Sequence, residues 1–290
     1  MLPLLENLGT CPGCDSAEVA ALHVARNRHH FIPHPFFTIA GCRVCGLIFI
    51  APRPDDAAVA RFYAAGGHGS DEWTATKDTP EETERWRAGK IGKARVLAKT
   101  IMSAFPEARG TAFDFGCGVG HLLDALKEAG WRTVGLEPNP IGEVTAAHHE
   151  MVSEVPRTPT YDLVAARHVL EHVTRPADIL RSLHAATKPD GVIFVGVPSV
   201  DLLPVHGDLH YACNPIHMNG FTELAVTNVL RVTGWEVTRT ETRNDSKLLA
   251  FARWVPAPLA PLPEALAPAI SALRAYGRRL TPEGKFLKTA

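Results

Sequence analysis

The amino-acid sequence predicts an α/β fold, a doubly wound and mostly parallel sheet with a small N-terminal zinc-ribbon-like module. Three observations support this prediction. Strand-like apolar segments alternate with helix-like amphipathic segments from Thr111 onward. The first of these strands leads into a turn with glycines at alternating positions, Gly116, Gly118 and Gly120. Near the N-terminus the chain carries two C-x-x-C pairs, "CPGC" and "CRVC".

Composition is ordinary for a soluble globular protein. Of the 290 residues, 46% are hydrophobic and 21% are charged, and the formal net charge is -1. This charge balance gives no general attraction to nucleic acid or to acidic membranes. No apolar run approaches the ~18 residues of a membrane span, and "MLPLLENLGT" does not have the pattern of a secretory signal. We therefore expect a cytoplasmic protein with no membrane or nucleic-acid partner.

Composition also divides the chain into four segments. Residues 1–70 hold four of the six cysteines and are predicted to form a zinc-binding module. Residues 71–110 form a helical linker or lid, residues 111–255 the α/β domain, and residues 256–290 a proline-rich segment followed by a C-terminal helix. The linker helix is predicted from apolar residues near helical spacing, namely Trp86, Ile91, Val96, Leu97 and Ile101. An aromatic-rich stretch before it suggests a lid built from Tyr63, His68 and Trp73.

The first half of the α/β domain contains two strand–helix units. "TAFDFG" is a short buried strand, and "HLLDALKEAG" is a helix with one apolar face that stops at Gly130. "RTVGLE" is the second strand and "IGEVTAAHHE" the second helix. The third-strand region, "MVSEVPRTPT", is short.

The second half continues the alternation. "YDLVAA" is a strand, "RPADILRSLHAAT" a helix and "KPDG" a type I turn. "VIFVGV" is a continuous apolar run and is predicted to be central in the sheet. A helix, "TELAVTNVLRVTG", precedes two strands, "WEVTRTE" and "KLLAFARW". Because these two strands are close in sequence, we expect them to pair antiparallel.

The glycine turn differs from a dinucleotide fingerprint. That fingerprint requires G-x-G-x-x-G, but the third position here is His121. Asp114 lies in the strand before the turn, and Glu137 ends the next strand. In open α/β sheets, ligands bind at the carboxyl ends of the strands, and a carboxylate can accept hydrogen bonds from both hydroxyls of a ribose. The pattern therefore predicts a nucleoside ligand without a pyrophosphate.

Four segments in this order, "FDFGCGVGHLLDAL", "VGLEPNP", "YDLVAARHVLEHVTRPADIL" and "TKPDGVIFVGVPS", resemble the successive motifs of class I S-adenosylmethionine-dependent methyltransferases. The resemblance covers about residues 111–255 and is strongest to the group that includes the ubiquinone-biosynthesis methyltransferases. It implies a Rossmann-like methyltransferase fold and S-adenosylmethionine as the cofactor. The third-strand region departs from the family because it lacks the acid that often contacts adenine.

The resemblance also implies roles for individual residues. Asp114 would help to hold the cofactor's amino group, Glu137 would accept the ribose hydroxyls, and the turn backbone would face the methionine part. Arg167 and His168 would line the methionine end. Cys117 is interpreted as a packing residue, with a nucleophilic thiolate as the alternative. The implied cofactor-binding set is Asp114, Phe115, Gly116, Cys117, Gly118, Gly120, Glu137, Pro138, Arg167 and His168.

The two cysteine pairs, Cys11 with Cys14 and Cys42 with Cys45, fit a tetrahedral four-thiolate zinc site. Four thiolates leave no open position for chemistry, so the predicted Zn²⁺ is structural. A β-hairpin with "EVAALHVA" and "FFTIAGC" as its arms would fill the gap between the pairs. The alternative is four free or redox-active thiols. A second zinc site among His29, His30 and His34 lacks regular spacing.

The cysteine-rich segment also resembles the leader of many bacterial methyltransferases of sugar and secondary-metabolite pathways. It is similar in plan to the antibiotic-sugar C-methyltransferases, which have an N-terminal zinc module and are longer. This resemblance suggests a sugar-nucleotide acceptor.

The loop "VHGDLHYACNPIHMNGFT" follows the strand "VIFVGVP", at the edge where a methyl acceptor would bind. An imidazole can take a proton from an acceptor near neutral pH, so His217 is the first catalytic candidate and His172 the second. Family loops of the form H-x-N-x-F-T match here at His217, Asn219, Phe221 and Thr222. The alternatives are that His217 and Asn219 cap the next helix or tie down the loop, and that His172 orders the site.

These observations predict S-adenosylmethionine-dependent methyl transfer to a small-molecule acceptor, by in-line displacement with histidine-assisted deprotonation. Two alternatives stay open. One is an RNA methyltransferase with a zinc module, for which "RWRAGKIGKARVLAK" is the one cationic run. The other is a non-catalytic cofactor-binding protein.

Overall fold

The computed structural model describes residues 8–27, 34–65, 79–140, 146–206, 209, 213–243 and 247–277. Its strands form two sheets, one of seven strands and one of four. Among the described residues, no helix combines the length and the apolar character needed to cross a membrane.

The seven-stranded sheet forms the centre of the fold. In spatial order its strands are β10 (Trp235–Arg243), β11 (Lys247–Trp254), β8 (Thr187–Pro198), β7 (Tyr161–Arg167), β4 (Thr111–Phe115), β5 (Arg132–Leu136) and β6 (Glu150–Met151). Strands β6, β5, β4, β7 and β8 run parallel to one another, and β11 is antiparallel to both β8 and β10. The prediction of a doubly wound, mostly parallel sheet is confirmed.

The described helices connect and flank these strands. They are α1 (Asp56–Ala64), α2 (Pro80–Ala104), α3 (His121–Glu128), α4 (Pro176–Ala186), α5 (Leu203–His206), α6 (Glu223–Arg231) and α7 (Ala267–Gly277). The longest helix, α2, begins at a reciprocal capping box that the side chains of Thr79 and Glu82 form with each other's backbone N–H groups. Thr222 caps α6, because its hydroxyl accepts a hydrogen bond from Ala225 N.

The four-stranded sheet is antiparallel and begins the chain. Its order is β1 (Val19–Arg26), β2 (Phe36–Cys42), β3 (Ile48–Ala51) and β9 (Asn219–Gly220). β1 and β2 are the two arms of the predicted hairpin. β9 comes from the predicted acceptor loop, so the small sheet combines N-terminal strands with a strand from within the α/β domain.

Packing also joins the two sheets. Cys42, Cys45 and Leu47 belong to the same buried cluster as Phe221 and Val229. On the surface, Asp15 forms ion pairs with both Arg175 and Arg181. Arg175 immediately precedes α4, and Arg181 lies within it. The division of the chain at residues 70, 110 and 255 stays a prediction, and the structure adds that the cysteine-bearing sheet and the large sheet share a core.

Two local predictions differ from the structure, and a third falls partly outside the described residues. "KPDG" was predicted as a turn, but it forms the irregular beginning of β8, with Asp190 at a φ of 66° and a register shift against β7. Val96 was placed on the apolar face of α2 and is 57% exposed, whereas Leu97 and Ile101 are buried. The second predicted helix falls partly outside the described residues, and residues 146–149 form a turn. His29, His30, His68 and Trp73 also lie outside the described residues.

Candidate functional site

The candidate site lies where the strand order reverses. From β4 the chain proceeds outward to β5 and β6, then returns to β7 on the other side of β4. Loops that leave adjacent parallel strands in opposite directions open a crevice at their carboxyl ends. Asp114 on β4 and Arg167 at the end of β7 border this crevice.

The glycine turn joins β4 to α3 in a conformation that favours glycine. Gly116, Gly118 and Gly120 have φ values of 75°, 56° and 85°, in the left-handed region that costs other residues energy. A Cβ on Gly116 would also lie 2.5 Å from Cγ2 of Val169. The alternation of glycines therefore allows both a left-handed backbone and a close approach to the segment after β7.

Glu137 fixes the turn to the end of β5. Its Oε2 accepts a hydrogen bond of 2.8 Å from Gly118 N, and its Oε1 accepts one of 2.8 Å from Asn139 N. The side chain is only 9% exposed. Each carboxylate oxygen has a second lone pair, so Glu137 can hold the turn and still accept a further hydrogen bond.

Asp114 is buried beneath the turn, 3% exposed. Its Oδ1 has no hydrogen-bond partner among the described residues. Burial raises the pKa of Asp114, Arg167 opposes the shift and Glu137 adds to it, so that the pKa is about 7. A buried acceptor atom without a partner is costly, and a bound ammonium group would supply both a donor and a countercharge. The residues at the turn thus fit a ligand with a cationic amino group and a diol.

The other predicted cofactor-binding residues surround this point. Phe115 ends β4 opposite Leu136, and Pro138 is exposed beside Glu137. Cys117 is buried with Leu123 and Ala146 and packs against the partly buried Met151, and burial raises the pKa of its thiol. The raised pKa therefore keeps the thiol protonated at neutral pH and argues against a nucleophilic thiolate.

Arg167 and His168 follow the end of β7. The Arg167 side chain makes no hydrogen bond or ion pair with the part of the chain that the structure describes. His168 has a φ of 54°, and its backbone N–H donates to Gly196 O at 2.7 Å. Its Nδ1 lies 3.1 Å from Oε1 of Glu171.

A buried cluster of Glu171, His172 and His217 lies beside this turn. The two imidazole rings meet edge to face with centroids 4.7 Å apart. His172 Nδ1 lies 3.1 Å from Ile216 O, and His172 Nε2 lies 3.8 Å from Oε1 of Glu171. Because a carbonyl only accepts, Nδ1 carries a proton, and Nε2 faces the Glu171 carboxylate. The structure thus brings the two predicted catalytic histidines together.

Glu171 is the charged centre of this cluster. It is 1% exposed, and its Oε2 has no hydrogen-bond partner among the described residues. Burial alone would raise the pKa of Glu171, but the hydrogen bond from His168 and the charges of His172, His168 and His217 outweigh it and lower the pKa to about 2. One ligand atom from each of Glu171, His172 and His217 lies within 4.8 Å of the others, so the set also has the spacing of a metal site.

Asn219 holds the loop that carries His217 against the turn that carries Glu171. Its Nδ2 donates to Leu170 O at 2.9 Å and to Val173 O at 2.7 Å. Its Oδ1 accepts from Nη2 of Arg53 at 2.9 Å. Asn219 therefore ties the loop to the core, which was one of the two structural alternatives.

Tyr63, from the predicted lid, extends from α1 towards the same region. Burial raises the pKa of Tyr63, and the charges of Glu171 and Glu137 raise it further. The half-buried phenol therefore lies within the electrostatic influence of both carboxylates.

The four predicted zinc ligands converge in the small sheet. Cys11 Sγ lies 3.5 Å from Cys45 Sγ, and Cys14 Sγ lies 3.5 Å from Cys42 Sγ. Zinc with four sulfurs at about 2.3 Å would separate them by about 3.8 Å. Backbone amides of the knuckles also point at the sulfurs: Gly13 N lies 3.3 Å from Cys11 Sγ. The donor set and its spacing fit a tetrahedral cation.

Sequence reasoning did not select Glu171 or Arg53. Glu171 had a local signal, since it interrupts an apolar stretch directly after a strand and lies three residues from His168. Arg53 had none, because its partner Asn219 is 166 residues away along the chain. Only folding of the chain brings Arg53 and Asn219 together.

Comparison with known proteins agrees with this geometry. A family model described as a methyltransferase domain matches residues 86–240. A ubiquinone biosynthesis O-methyltransferase of Methylobacterium sp. (strain 4-46) is 36% identical over 102 residues, which cover 31% of this chain and 41% of that protein. One of Pseudomonas paraeruginosa is 29% identical over 163 residues, covering 49% and 62% respectively. The chain thus matches about two-fifths to three-fifths of the length of these relatives.

Among solved structures, magnesium protoporphyrin IX methyltransferase from Synechocystis PCC 6803 with bound SAH superposes with a TM-score of 0.51 at 17% identity. The superposition covers 69% of this chain and 100% of that one. At this identity the likeness concerns the fold.

Proposed function

The chain belongs to the methyltransferase family whose domain model it matches, and on that premise we propose that it transfers the methyl group of S-adenosylmethionine to a small-molecule acceptor. The observation that carries the proposal is the arrangement of Asp114 and Glu137 around the glycine turn. One carboxyl group has a buried oxygen without a partner among the described residues, and the other accepts backbone hydrogen bonds from the glycine turn and from Asn139 at the end of the adjacent strand.

We assign the cofactor's polar groups to these residues. Asp114 would take the amino group, Glu137 the ribose hydroxyls, and the backbone of Gly116 and Gly118 the methionine chain. Phe115, Cys117, Gly120 and Pro138 would complete the surroundings, with Arg167 and His168 at the methionine end. When bound, S-adenosylmethionine supplies a methyl group already activated by its sulfonium.

The chain's own contribution is then alignment and proton removal. The acceptor would bind between the glycine turn and the histidine cluster, with α1 and Tyr63 limiting access of water. We propose that His217 accepts the acceptor's proton and that His172 orders its ring. Buried beside both, Glu171 stabilises the imidazolium that forms. A hydroxyl acceptor requires such a base, and relatives named O-methyltransferases are consistent with oxygen as the methylated atom.

Two finer proposals follow from the N-terminal segment. Cys11, Cys14, Cys42 and Cys45 would hold one structural Zn²⁺, supported by the spacing of their sulfur atoms. A sugar nucleotide or another secondary metabolite is the acceptor class that the cysteine-rich leader suggests. We also propose that the protein acts in the cytoplasm.

The proposal is tested by incubating the protein with S-adenosylmethionine and a panel of hydroxylated metabolites and sugar nucleotides, read by the mass gain of one methyl group. In parallel, calorimetry should show S-adenosylhomocysteine binding and no binding of NAD. Glu137→Ala should weaken S-adenosylhomocysteine by at least about tenfold, since two charge-assisted hydrogen bonds of about 1.5–3 kcal/mol are lost and water compensates only in part.

Asp162→Asn is a matched control, because Asp162 is a carboxylate at the opposite end of β7 that pairs with Lys188. It should leave cofactor affinity unchanged. Normal affinity in Glu137→Ala would show that the ribose site is misplaced. Failure to bind S-adenosylhomocysteine at all would contradict the proposed function itself.

A further inference from the structure

A second group of metal-ligating side chains lies outside the candidate site, at the edge strand of the large sheet. Asp124 is in the first turn of α3, and His148 and His149 directly precede β6. The Nε2 atoms of His148 and His149 lie 2.8 Å and 3.1 Å from the same atom, Oδ1 of Asp124. Two imidazoles therefore point a nitrogen at one carboxylate oxygen.

The spacing of these atoms suits a small divalent cation. One ligand atom from each residue lies within 4.8 Å of the others. Zinc bound at about 2.0–2.1 Å by nitrogen and oxygen separates neighbouring tetrahedral ligand atoms by about 3.3 Å. Shifts of a few tenths of an ångström would replace the two hydrogen bonds with metal–ligand bonds.

The surroundings of His149 resemble those of a metal ligand. Its side chain is fully buried, and its Nδ1 lies 2.9 Å from Oγ1 of Thr133. When Nδ1–H donates to that hydroxyl, Nε2 keeps a lone pair directed at Asp124.

The position of the cluster gives such a site a structural consequence. A Cβ on Gly120 would lie 3.3 Å from Cδ2 of His149, so the imidazole packs directly behind the glycine turn. His148 is about half exposed, which leaves one side open to solvent. A cation here would join the first turn of α3 to the β5–β6 edge, and water would complete its coordination.

We propose that Asp124, His148 and His149 bind a divalent transition-metal cation of the zinc class, at a site separate from the four cysteines. The open side makes this site exchangeable, unlike a closed four-thiolate site. Because the cation binds only the folded chain, it stabilises the fold by mass action. The inference rests on side-chain geometry and does not depend on the proposed methyltransferase activity.

The test uses Co²⁺ as a spectroscopic probe on full-length protein supplied with a single equivalent of Zn²⁺ per chain for the four-cysteine site and then freed of excess metal. We expect about one further equivalent of Co²⁺ to bind, with the weak visible bands of nitrogen and oxygen ligands and no sulfur-to-cobalt charge-transfer band. His148→Gln alters an exposed ring, so folding is preserved, and it should abolish this equivalent. Thr133→Val should weaken it by about 10–100-fold by removing the partner of His149.

His23→Gln is the matched control and should bind Co²⁺ as the parent protein does, since His23 lies on β1. Binding that is unchanged in both His148→Gln and Asp124→Asn would overturn the proposal. So would loss of the extra equivalent in His172→Gln but not in His148→Gln, because that would assign the cation to the Glu171 cluster. No binding beyond the cysteine site in the parent protein would equally contradict it.

Discussion

Arg53 donates a hydrogen bond from Nη2 to Oδ1 of Asn219 across 2.9 Å, linking the N-terminal segment to the loop that carries His217. The same amide donates to Leu170 O and Val173 O, the carbonyls that flank Glu171 and His172. Four residues before Arg53, Phe49 pairs with Asn219 in the small sheet. The cysteine-bearing sheet thus contacts the candidate acceptor side through both backbone and side chain.

Replacing Arg53 should impair acceptor turnover and spare the cofactor. Arg53→Lys removes a planar donor that a lysine ammonium does not reproduce, and a hydrogen bond to a charged group is worth about 1.5–3 kcal/mol. We expect a roughly tenfold or larger fall in kcat/KM for the acceptor, with unchanged affinity for S-adenosylhomocysteine. Steady-state kinetics and calorimetry measure the two quantities.

A double-mutant cycle with Asn219→Ala tests the link itself. The two substitutions should be strongly non-additive, because each removes the same contact. Arg43→Gln, an exposed arginine of the same segment, should behave as the parent protein. Additive losses in the cycle would show that Arg53 acts by another route.

The role of Glu171 is tested through the pH dependence of turnover. The Glu171 carboxylate favours the protonated form of neighbouring histidines, so Glu171→Gln should lower the pKa of the base. The acidic limb of the kcat/KM profile should then move to lower pH, and the plateau rate should fall because the base is weaker. A merely structural role would lower the rate without moving the limb.

His217→Gln should remove that limb altogether, if His217 is the base. His184→Gln is a suitable control, since His184 is stacked on Trp254 away from the cluster. A profile in which His217→Gln retains the acidic limb would exclude His217 as the titrating group.

Local sequence pattern predicted most strands of the large sheet and placed the proposed cofactor residues at one edge of it. The glycine turn, Asp114 and Glu137 follow strands directly, so strand order alone brings them to one edge. The acceptor side depends on long-range contacts. Arg53 meets Asn219 only because β3 pairs with β9, and no periodicity along the chain encodes that pairing. The irregular start of β8 at "KPDG" was missed because a proline–glycine pair favours a turn when read without its neighbouring strand.

Asp114 should make the stability of the ligand-free protein depend on pH. Its pKa is raised by burial to about 7, above the ordinary value near ~3.9. The raised pKa stabilises the folded state fully at low pH, and this stabilisation is lost as the pH rises through about 7. Differential scanning fluorimetry should therefore show a melting temperature that falls between pH 5 and about pH 7, relative to Asp114→Asn, in the absence of ligand.

Cofactor affinity should have the opposite pH dependence to stability and should increase as the pH rises. A cationic amino group beside Asp114 favours its ionised form, so S-adenosylhomocysteine should release a proton from the protein below about pH 7 and bind more tightly as the pH rises. Calorimetry in buffers of different ionisation enthalpy measures the proton count. Asp201→Asn, which removes a half-buried acid whose pKa burial also raises, should keep both behaviours. Proton release that persists in Asp114→Asn would assign it to another group.

Cys42→Ser should separate structure from cofactor binding. If the four cysteines hold one closed zinc site, the purified parent protein should contain about one metal per chain, and the variant should lose it. The free energy of metal binding in so small a unit is largely folding free energy, so hydrogen exchange should rise across β2 and β3. Because β3 pairs with β9, exchange should also rise at Asn219, and acceptor turnover should fall. The glycine turn belongs to the other sheet, so affinity for S-adenosylhomocysteine should change little.

Cys213→Ala, at a buried cysteine outside the cluster, should keep its metal. A metal-free parent protein with full protection of β2 and β3 would refute the zinc assignment, and a large loss of cofactor affinity in Cys42→Ser would refute the separation of the two sites.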